Sequence, residues 1–172
     1  LLSKSAFYNV EEYELLHVAT HGYYKRTPQL TLRLEELLQS SGLFLSHPFV
    51  VTPNGVIQLN RDGFLTIDNI RSHNAGNLKL VTLSACHSGQ GLFVNLGDFF
   101  GIQRAFFIAG AKFVISSLWE VGDSYAHDFM NLFYHSWMDK KNIQQAFDFT
   151  QAQMKAKYSD PRKWACFVLY HR

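Results

Sequence analysis

Four short apolar segments constrain the fold of this 172-residue chain more than any other feature of its sequence. They are rich in Leu, Val, Ile and Phe and show little alternation between apolar and polar residues, which is typical of buried strands in a parallel sheet. The four segments are residues 13–19, 78–83, 113–118 and 164–170. We therefore expect them to form the central sheet of the fold.

The stretches between these segments carry apolar residues at the spacing of amphipathic helices. One of them, residues 102–109, ends at Gly110, and two others follow Asp123 and Asn142, which we interpret as N-caps. Strands that alternate with helices predict an α/β fold, with a mostly parallel central sheet and right-handed crossovers.

The length of the chain favours one domain over residues 1–172. Turn signals at residues 53–55 (Pro-Asn-Gly) and 62–63 (Asp-Gly) predict a small hairpin insertion within residues 49–63. A short helix is expected after Thr66, and a leucine-rich stretch predicts another after Pro28.

Composition excludes several classes of function. The net charge is +2 and the sixteen basic residues are scattered, which argues against nucleic-acid binding. No uninterrupted apolar stretch reaches the roughly 18 residues of a membrane span, and no signal peptide is visible, so we expect a cytoplasmic protein with no membrane contact.

Hydrophobic residues make up 47% and charged residues 17%, so we expect part of the surface to meet another domain or chain. The chain also starts at Leu1 rather than Met, which suggests a piece of a longer protein.

The two cysteines differ in their surroundings. Cys166 lies inside an apolar segment and is interpreted as an inert core residue. Cys86 follows the second apolar segment and precedes Ser88 and Gly89, where a reactive thiol is more plausible. Two distant cysteines do not form a disulfide framework.

Two of the predicted strands end in residues that are able to carry chemistry. The first segment continues into Thr20, His21 and Gly22, and the second continues into Cys86. In open α/β sheets, ligands bind at the carboxyl ends of the strands, and an imidazole there can generate a thiolate near neutral pH. We therefore predict a dyad of His21 and Cys86, beside which Gly22 leaves space for a substrate carbonyl and a free backbone N–H for an oxyanion.

Other residues near this dyad are alternatives for the same chemistry. His87 is adjacent to Cys86 and is expected to face away from it, because neighbouring residues of a strand point to opposite sides. His17 is interpreted as a hydrogen-bonded histidine that lies in the core or supports the site. A metal site of Cys86, His87, His21 and His17 lacks the second thiol or carboxylate that usually completes one, so no metal is predicted.

Two motifs of the chain resemble those of a known family. Residues 16–22 (LHVATHG) resemble the histidine motif of CHAT domains, and residues 83–91 (LSACHSGQG) resemble their cysteine motif. Further blocks follow in the order of the family, so that the resemblance extends over about residues 13–170. These blocks are residues 62–66, 101–111, 117–123, 133–134, 152–153 and 164–169.

The resemblance is to a family of the caspase-like and separase-like cysteine peptidases. It implies a caspase-like three-layer sandwich with helices on both faces of the sheet, a His21–Cys86 dyad, and backbone N–H groups at Gly22 and Cys86 as oxyanion donors. It also implies cleavage of a protein substrate without a cofactor. In this family the domain commonly lies at the end of a longer chain that carries helical repeats. An upstream repeat region or a regulatory partner is therefore expected.

The sequence departs from the family pattern in two places. His87-Ser88 stands where many members have an acidic residue followed by Thr. The strand and helix that usually precede the histidine strand are absent, so we expect an exposed sheet edge or apolar face.

We therefore predict a cysteine endopeptidase that is gated by a partner or a neighbouring domain. Residues 119–123 resemble the segment of separases whose pocket takes Arg, which predicts cleavage after a basic residue. Asp123 is the first candidate for the acid in that pocket, Glu120 the second and Asp98 the third, with Ser117 and Trp119 lining it. Residues 116–119 are also expected to pair with an extended substrate.

Two alternatives remain open. One is a catalytically silent scaffold with the same fold, and the other is a cysteine hydrolase or transferase that acts on small molecules.

Overall fold

The computed structural model describes residues 4–24, 41–45, 48–84, 91–94 and 98–172. In chain order its strands are β1 Leu15–Ala19, β2 Gly22–Tyr24, β3 Ser41–Phe44, β4 Phe49–Val51, β5 Ile57–Leu59, β6 Phe64–Thr66, β7 Leu80–Ser84, β8 Gly91–Val94, β9 Asp98–Gly101, β10 Phe113–Ser117 and β11 Phe167–His171. Its helices are α1 Lys4–Phe7, α2 Ile67–Arg71, α3 Ile102–Ala109, α4 Asp123–Lys140 and α5 Ile143–Lys157. Short 3₁₀ turns lie at Val10–Glu12, Arg61–Gly63 and Pro161–Lys163.

A four-stranded sheet in the order β1, β7, β10, β11 forms the centre of the fold. The first three strands are parallel, and β11 pairs antiparallel with β10. The mixed α/β fold and the mostly parallel sheet are therefore confirmed, and each of the four apolar segments supplies one strand.

The reversed direction of β11 follows from the connection before it. Helices α4 and α5 both lie between β10 and β11 in the chain and pack against each other, so that the chain runs back along the sheet and returns. It therefore re-enters the sheet at the end where β10 finished and has to run in the opposite direction.

Each face of the sheet has its own hydrophobic core. On one face Phe7, Ile70 and Phe106, from α1, α2 and α3, pack with the buried side chains of β1 and β7. On the other face Phe129 and Phe147, from α4 and α5, pack with Leu80, Ile115 and Phe167 of the sheet. Neighbouring residues of β10 divide between the two cores, because successive side chains of a strand point to opposite faces. The result is a three-layer sandwich.

Strand β1 is only half buried, unlike the interior strand β7. Leu16 and Val18 are buried, whereas Leu15, His17 and Ala19 are exposed. Strand β1 is the outermost strand of the described sheet, and it contributes no residue to the core beneath α4 and α5. The prediction of a buried strand is therefore wrong for one face of β1, and this open face forms part of a cleft.

The helix boundaries agree with the sequence signals in all but one case. Thr66 caps α2 through a capping box with Asn69, and the side chain of Asn142 accepts a hydrogen bond from Gln145 N–H at the start of α5. The prediction that Asp123 caps α4 is wrong. Gly122 holds the N-cap position, with an extended backbone whose carbonyl accepts from the N–H groups of the first turn, so that Asp123 becomes the first helical residue.

Helix α3 ends at Gly110, as predicted. Gly110 has a φ of 111°, in the left-handed region that favours glycine, and an added Cβ would lie 2.8 Å from the Cα of Gly76. Close contact between two backbone segments therefore requires glycine at this position.

Three smaller sheets surround the central one. Strands β2, β3 and β6 form an antiparallel sheet, β4 and β5 form the hairpin within residues 49–63, and β8 pairs with β9. The β2–β3–β6 sheet and the β8–β9 pair were not predicted from the sequence. The helix predicted after Pro28 lies outside the described residues. Among the described helices, none combines the length and apolar character needed to cross a membrane.

Candidate active site

A cleft of about 670 Å³ lies at the carboxyl ends of β1, β7 and β10. It opens where the layer of α4 and α5 leaves the exposed face of β1 uncovered, and the first turns of α4 form its opposite wall. Its polar lining residues are His17, Thr20, His21, Ser84, Ser117, Asp123, His127, Asn131 and Tyr134. Residues that are far apart in the sequence therefore share one polar surface.

The backbone around His21 is held by strand β3. The hydroxyl of Thr20 donates to the carbonyl of Phe44 over 2.6 Å, and the N–H of Phe44 donates to the carbonyl of His21 over 2.9 Å. The His21 side chain is exposed in the cleft. Its position is therefore set by backbone pairing, while its imidazole stays accessible.

The two motifs start from residues that are paired in the sheet. Ala19 at the end of β1 lies opposite Ser84 at the end of β7. His21 comes two residues after Ala19 in the sequence, and Cys86 comes two residues after Ser84. Cys86 itself lies outside the described residues. Gly22, the candidate oxyanion donor beside His21, is the first residue of β2 and pairs with Leu43.

The other cysteine has the properties of a core thiol, as predicted. Cys166 is free and fully buried, and burial raises the pKa of its thiol to about 11. A thiol with so high a pKa carries almost no thiolate at neutral pH and is a poor nucleophile.

The structure brings together only some of the candidates for substrate binding. Ser117 is only 2% exposed and lines the cleft, and Asp123 lines it from the first turn of α4. The side chains of Trp119 and Glu120 are not among the lining residues: the indole N–H of Trp119 donates to the carbonyl of Arg162 over 3.1 Å, and Glu120 is exposed elsewhere. Asp98 is the first residue of β9, and its side chain lies outside the described set.

Strand β10 is not available along its length for pairing with a substrate. Ser116 pairs with Leu83 on one side and with Val168 on the other, and the N–H of Leu118 donates to the carbonyl of Cys166. The expectation that an extended substrate pairs with residues 116–119 is therefore wrong at Ser116. The side chain of Ser116 faces α3, where its hydroxyl accepts a hydrogen bond from the amide of Gln103 over 3.2 Å.

A hydrogen-bonded chain that the sequence did not reveal connects β1, α4 and β7 within the cleft. Nδ1 of His17 lies 2.7 Å from the hydroxyl of Tyr134, and that hydroxyl donates to Oγ1 of Thr82 over 3.0 Å. Thr82 is fully buried and lies opposite His17 in the register of β1 and β7. The predicted hydrogen bond of His17 is present, but its side chain faces the cleft rather than the core.

The surroundings of this chain change its acid–base behaviour. One edge of the His17 ring reaches the cleft, yet the protein around the rest of the ring removes water, and this lowers the pKa of His17 below its ordinary value. Burial raises the pKa of Tyr134, and its hydrogen bond with Thr82 partly opposes that effect. Burial therefore favours the neutral form of His17.

Tyr134 was missed because its signal is weak. Its hydroxyl lies on a helix whose neighbouring residues Phe133 and Trp137 belong to the core, so that the pattern alone predicts packing. In the described ranges, no group of three or more His, Cys, Asp or Glu residues is arranged to hold a metal ion.

Comparison with known families gives a match that covers nearly every residue. The family model of the CHAT domain matches residues 2–172. A search among curated proteins finds no match to this chain.

Proposed function

Because the chain belongs to the CHAT domain family, which is related to the caspase-like peptidases, we propose that it is a cysteine endopeptidase with Cys86 as its nucleophile and His21 as its general base and acid. The observation that carries this proposal is the parallel, in-register pairing of β1 with β7. It aligns Ala19 with Ser84, from which His21 and Cys86 are each two residues away in the sequence. Parallel strands that end together deliver the residues that follow them to one edge of the sheet.

In the proposed reaction, the Cys86 thiolate attacks the carbonyl carbon of the scissile bond. The resulting oxyanion accepts hydrogen bonds from the backbone N–H groups of Gly22 and Cys86. Collapse of this intermediate breaks the C–N bond, and His21 gives its proton to the leaving amine while a thioester forms. His21 then takes a proton from water as the water oxygen attacks the thioester, the C–S bond breaks, the carboxylic acid product leaves, and the Cys86 thiolate is regenerated beside protonated His21.

We propose that the substrate residue before the scissile bond is Arg or Lys and that Asp123 pairs with it. Asp123 lines the same cleft as His21, and Gly122 rather than Asp123 holds the N-cap position of α4. In the described part of the cleft wall there is no Lys or Arg to compete for that carboxylate. In the described part of the cleft, a cationic side chain therefore meets an acidic group and no Lys or Arg.

Control by a partner or a neighbouring domain is the remaining part of the proposal. The hairpin of β4 and β5 carries Val51 and Ile57, each 70% exposed, and such apolar groups favour contact with another protein surface. We expect the isolated chain to cleave denatured proteins slowly. Rapid turnover by the chain alone would argue against such control.

The main test uses the two thiols of the chain as probe and internal reference. Iodoacetamide should modify Cys86 in the folded protein near pH 7, whereas Cys166, with its pKa of about 11, should react only after denaturation. Replacement of His21 by Ala should shift the pH dependence of Cys86 modification to higher pH, towards the ordinary thiol pKa of about 8.5. Peptide mapping by mass spectrometry identifies the modified cysteine at each pH.

Cleavage of denatured proteins separates a peptidase from a silent scaffold. Cys86→Ala should abolish cleavage with little change in melting temperature, whereas Cys166→Ala should retain cleavage and lower the melting temperature. A scaffold would give no cleavage in any variant and an ordinary pH profile for Cys86. Cleavage that persists in Cys86→Ala would exclude the proposed nucleophile.

A further inference from the structure

The chain of hydrogen bonds through His17 lies within the cleft but away from His21. His17 lies within β1, whereas His21 follows two residues after the end of that strand, and the hydrogen bond of His17 is to Tyr134 rather than to His21. His17 therefore does not act by orienting His21, and a long substrate side chain that enters from the rim is the group best able to approach it.

The hydrogen bonds of Tyr134 favour one tautomer of neutral His17. Because the Tyr134 hydroxyl donates to Thr82, its oxygen accepts from Nδ1–H of His17. The neutral ring then has its lone pair on Nε2, which has no hydrogen-bond partner among the described residues. In this tautomer His17, which lines the cleft, offers a hydrogen-bond acceptor at Nε2.

We propose that His17 is a second specificity residue, which accepts a hydrogen bond from the cationic side chain of the substrate residue before the scissile bond. This inference rests on the proposed function, because it assumes that a basic residue enters the cleft. Asp123 then supplies charge to that side chain, and His17 supplies a directional acceptor. A protonated His17 would have no lone pair and would repel the cation.

Other groups around His17 also titrate and have to be separated from it. Helix α4 contributes Asp123, His127 and Tyr134, and His21 follows β1. The described cleft residues of β7 and β10 are hydroxyl residues, Ser84 and Ser117, and Thr82 of β7 completes the chain below them. Acidification alone therefore changes several charges, and only a variant of His17 that cannot titrate isolates its contribution.

The test measures binding in the Cys86→Ala protein, so that it does not depend on turnover. The probes are a fluorescein-labelled alanine-rich peptide with one central arginine and the same peptide with citrulline, which has a similar shape and no charge. Fluorescence polarisation is recorded between about pH 5 and pH 8, the range over which histidines titrate. The arginine peptide should bind more tightly near pH 7.5 and lose affinity as the pH falls below the lowered pKa of His17.

Two substitutions of His17 distinguish a hydrogen-bond acceptor from a structural role. His17→Ala should weaken binding of the arginine peptide about tenfold and affect the citrulline peptide less, since the lost bond is to a charged group. His17→Gln keeps a neutral acceptor and should retain most of the affinity, while the part of the pH dependence due to His17 disappears. Tyr134→Phe should fall between wild type and His17→Ala, because the ring is no longer fixed in one tautomer. Melting temperatures check that each variant is folded.

The inference is overturned if His17→Ala keeps the wild-type preference for arginine over citrulline, if His17→Gln keeps the wild-type pH dependence, or if no preference for arginine exists. These results are separate from the proposed catalysis. If the wild-type chain shows the expected binding pattern but cleaves no substrate, the proposed peptidase activity is excluded and the inference about His17 stands. If the wild-type chain cleaves after basic residues and His17→Ala has the same selectivity, the peptidase activity is supported and the inference about His17 is overturned.

Discussion

Two clefts lie at opposite ends of the central sheet and differ more in chemistry than in size. The cleft at the carboxyl ends of β1, β7 and β10 measures about 670 Å³, and the one at the amino ends of β7 and β10 about 550 Å³. The second is bounded by Phe113, Trp137 and Ile143 and by the pair of Glu14 and Lys79.

The charged groups of the two clefts are satisfied to different degrees. Glu14 and Lys79 neutralise each other across 2.7 Å, and the cleft at the amino ends, which Lys141 also lines, offers mainly an apolar surface. In the described part of the other cleft, Asp123 makes no ion pair and the imidazole of His21 is exposed. Cavity volume therefore does not separate the two clefts, whereas polar groups at the carboxyl ends of parallel strands favour the first as the candidate functional site.

The largest expected effect concerns catalysis at the carboxyl ends. His21→Ala should lower the rate of peptide cleavage by about 10²–10⁴-fold, the usual contribution of a general acid–base group. Gln144→Ala, in the other cleft, is the matched control and should leave the rate within about twofold. Initial rates with a fluorogenic arginine peptide measure both variants. Similar losses in the two clefts would break the comparison.

The next effect concerns stability, which we expect to depend on the amino end of β7 more than on its carboxyl end. Leu80 begins β7 and is fully buried beneath α4 and α5, so Leu80→Ala should lower the free energy of unfolding by about 2–5 kcal/mol. Ser84 ends β7 at the cleft, and Ser84→Ala should cost less than about 1 kcal/mol. Urea denaturation measures both changes. Equal costs would mean that the two ends do not divide stability from function.

A smaller effect is expected for substrate selectivity. Asp123→Asn should reduce the preference for cleavage after Arg rather than citrulline about tenfold. The loss is no larger because Asp123 is exposed, so that water screens the attraction between its carboxylate and the substrate cation. Its fold should persist, since an acidic residue in the first turn contributes only about 0.3–1 kcal/mol. Glu120→Gln, which is outside the cleft lining, should leave selectivity unchanged. Unchanged selectivity in Asp123→Asn would remove it from the pocket.

The smallest effect is expected for the ion pair at the amino ends. The side chains of Lys79 and Glu14 are 49% and 68% exposed, so water and salt screen their attraction. Lys79→Met should change the free energy of unfolding by less than about 1 kcal/mol and leave cleavage unaffected. Thermal unfolding at low and high salt provides the measurement, and a large salt-dependent loss would show that this pair is structurally important.

Local signals predicted the parts of the fold that depend on near neighbours in sequence. The apolar segments marked all four strands of the central sheet, and Thr66, Asn142 and Gly110 marked helix ends because each acts on its own backbone. Asp123 failed as a predicted cap because Gly122 already held that position. The direction of β11 also depends on the whole α4–α5 unit that precedes it.

For the candidate site, the sequence located His21 at the end of a strand and Asp123 near the start of a helix, and both line the cleft. It also assigned Cys166 to the core, where burial confirms it. The roles of His21 and Asp123 in catalysis and binding, and that of Cys86, stay predictions.

What the sequence by itself determined is which residues form strands and helices and which polar residues follow the strands. The tertiary structure alone decided which of those residues meet. It joined His17 to Tyr134 across 117 positions of the chain, and it turned the adjacent Ser116 and Ser117 towards different layers. The physical reason is that strand order, register and helix packing are set by the burial of whole faces. No local pattern encodes the partner that a side chain finds across such a face.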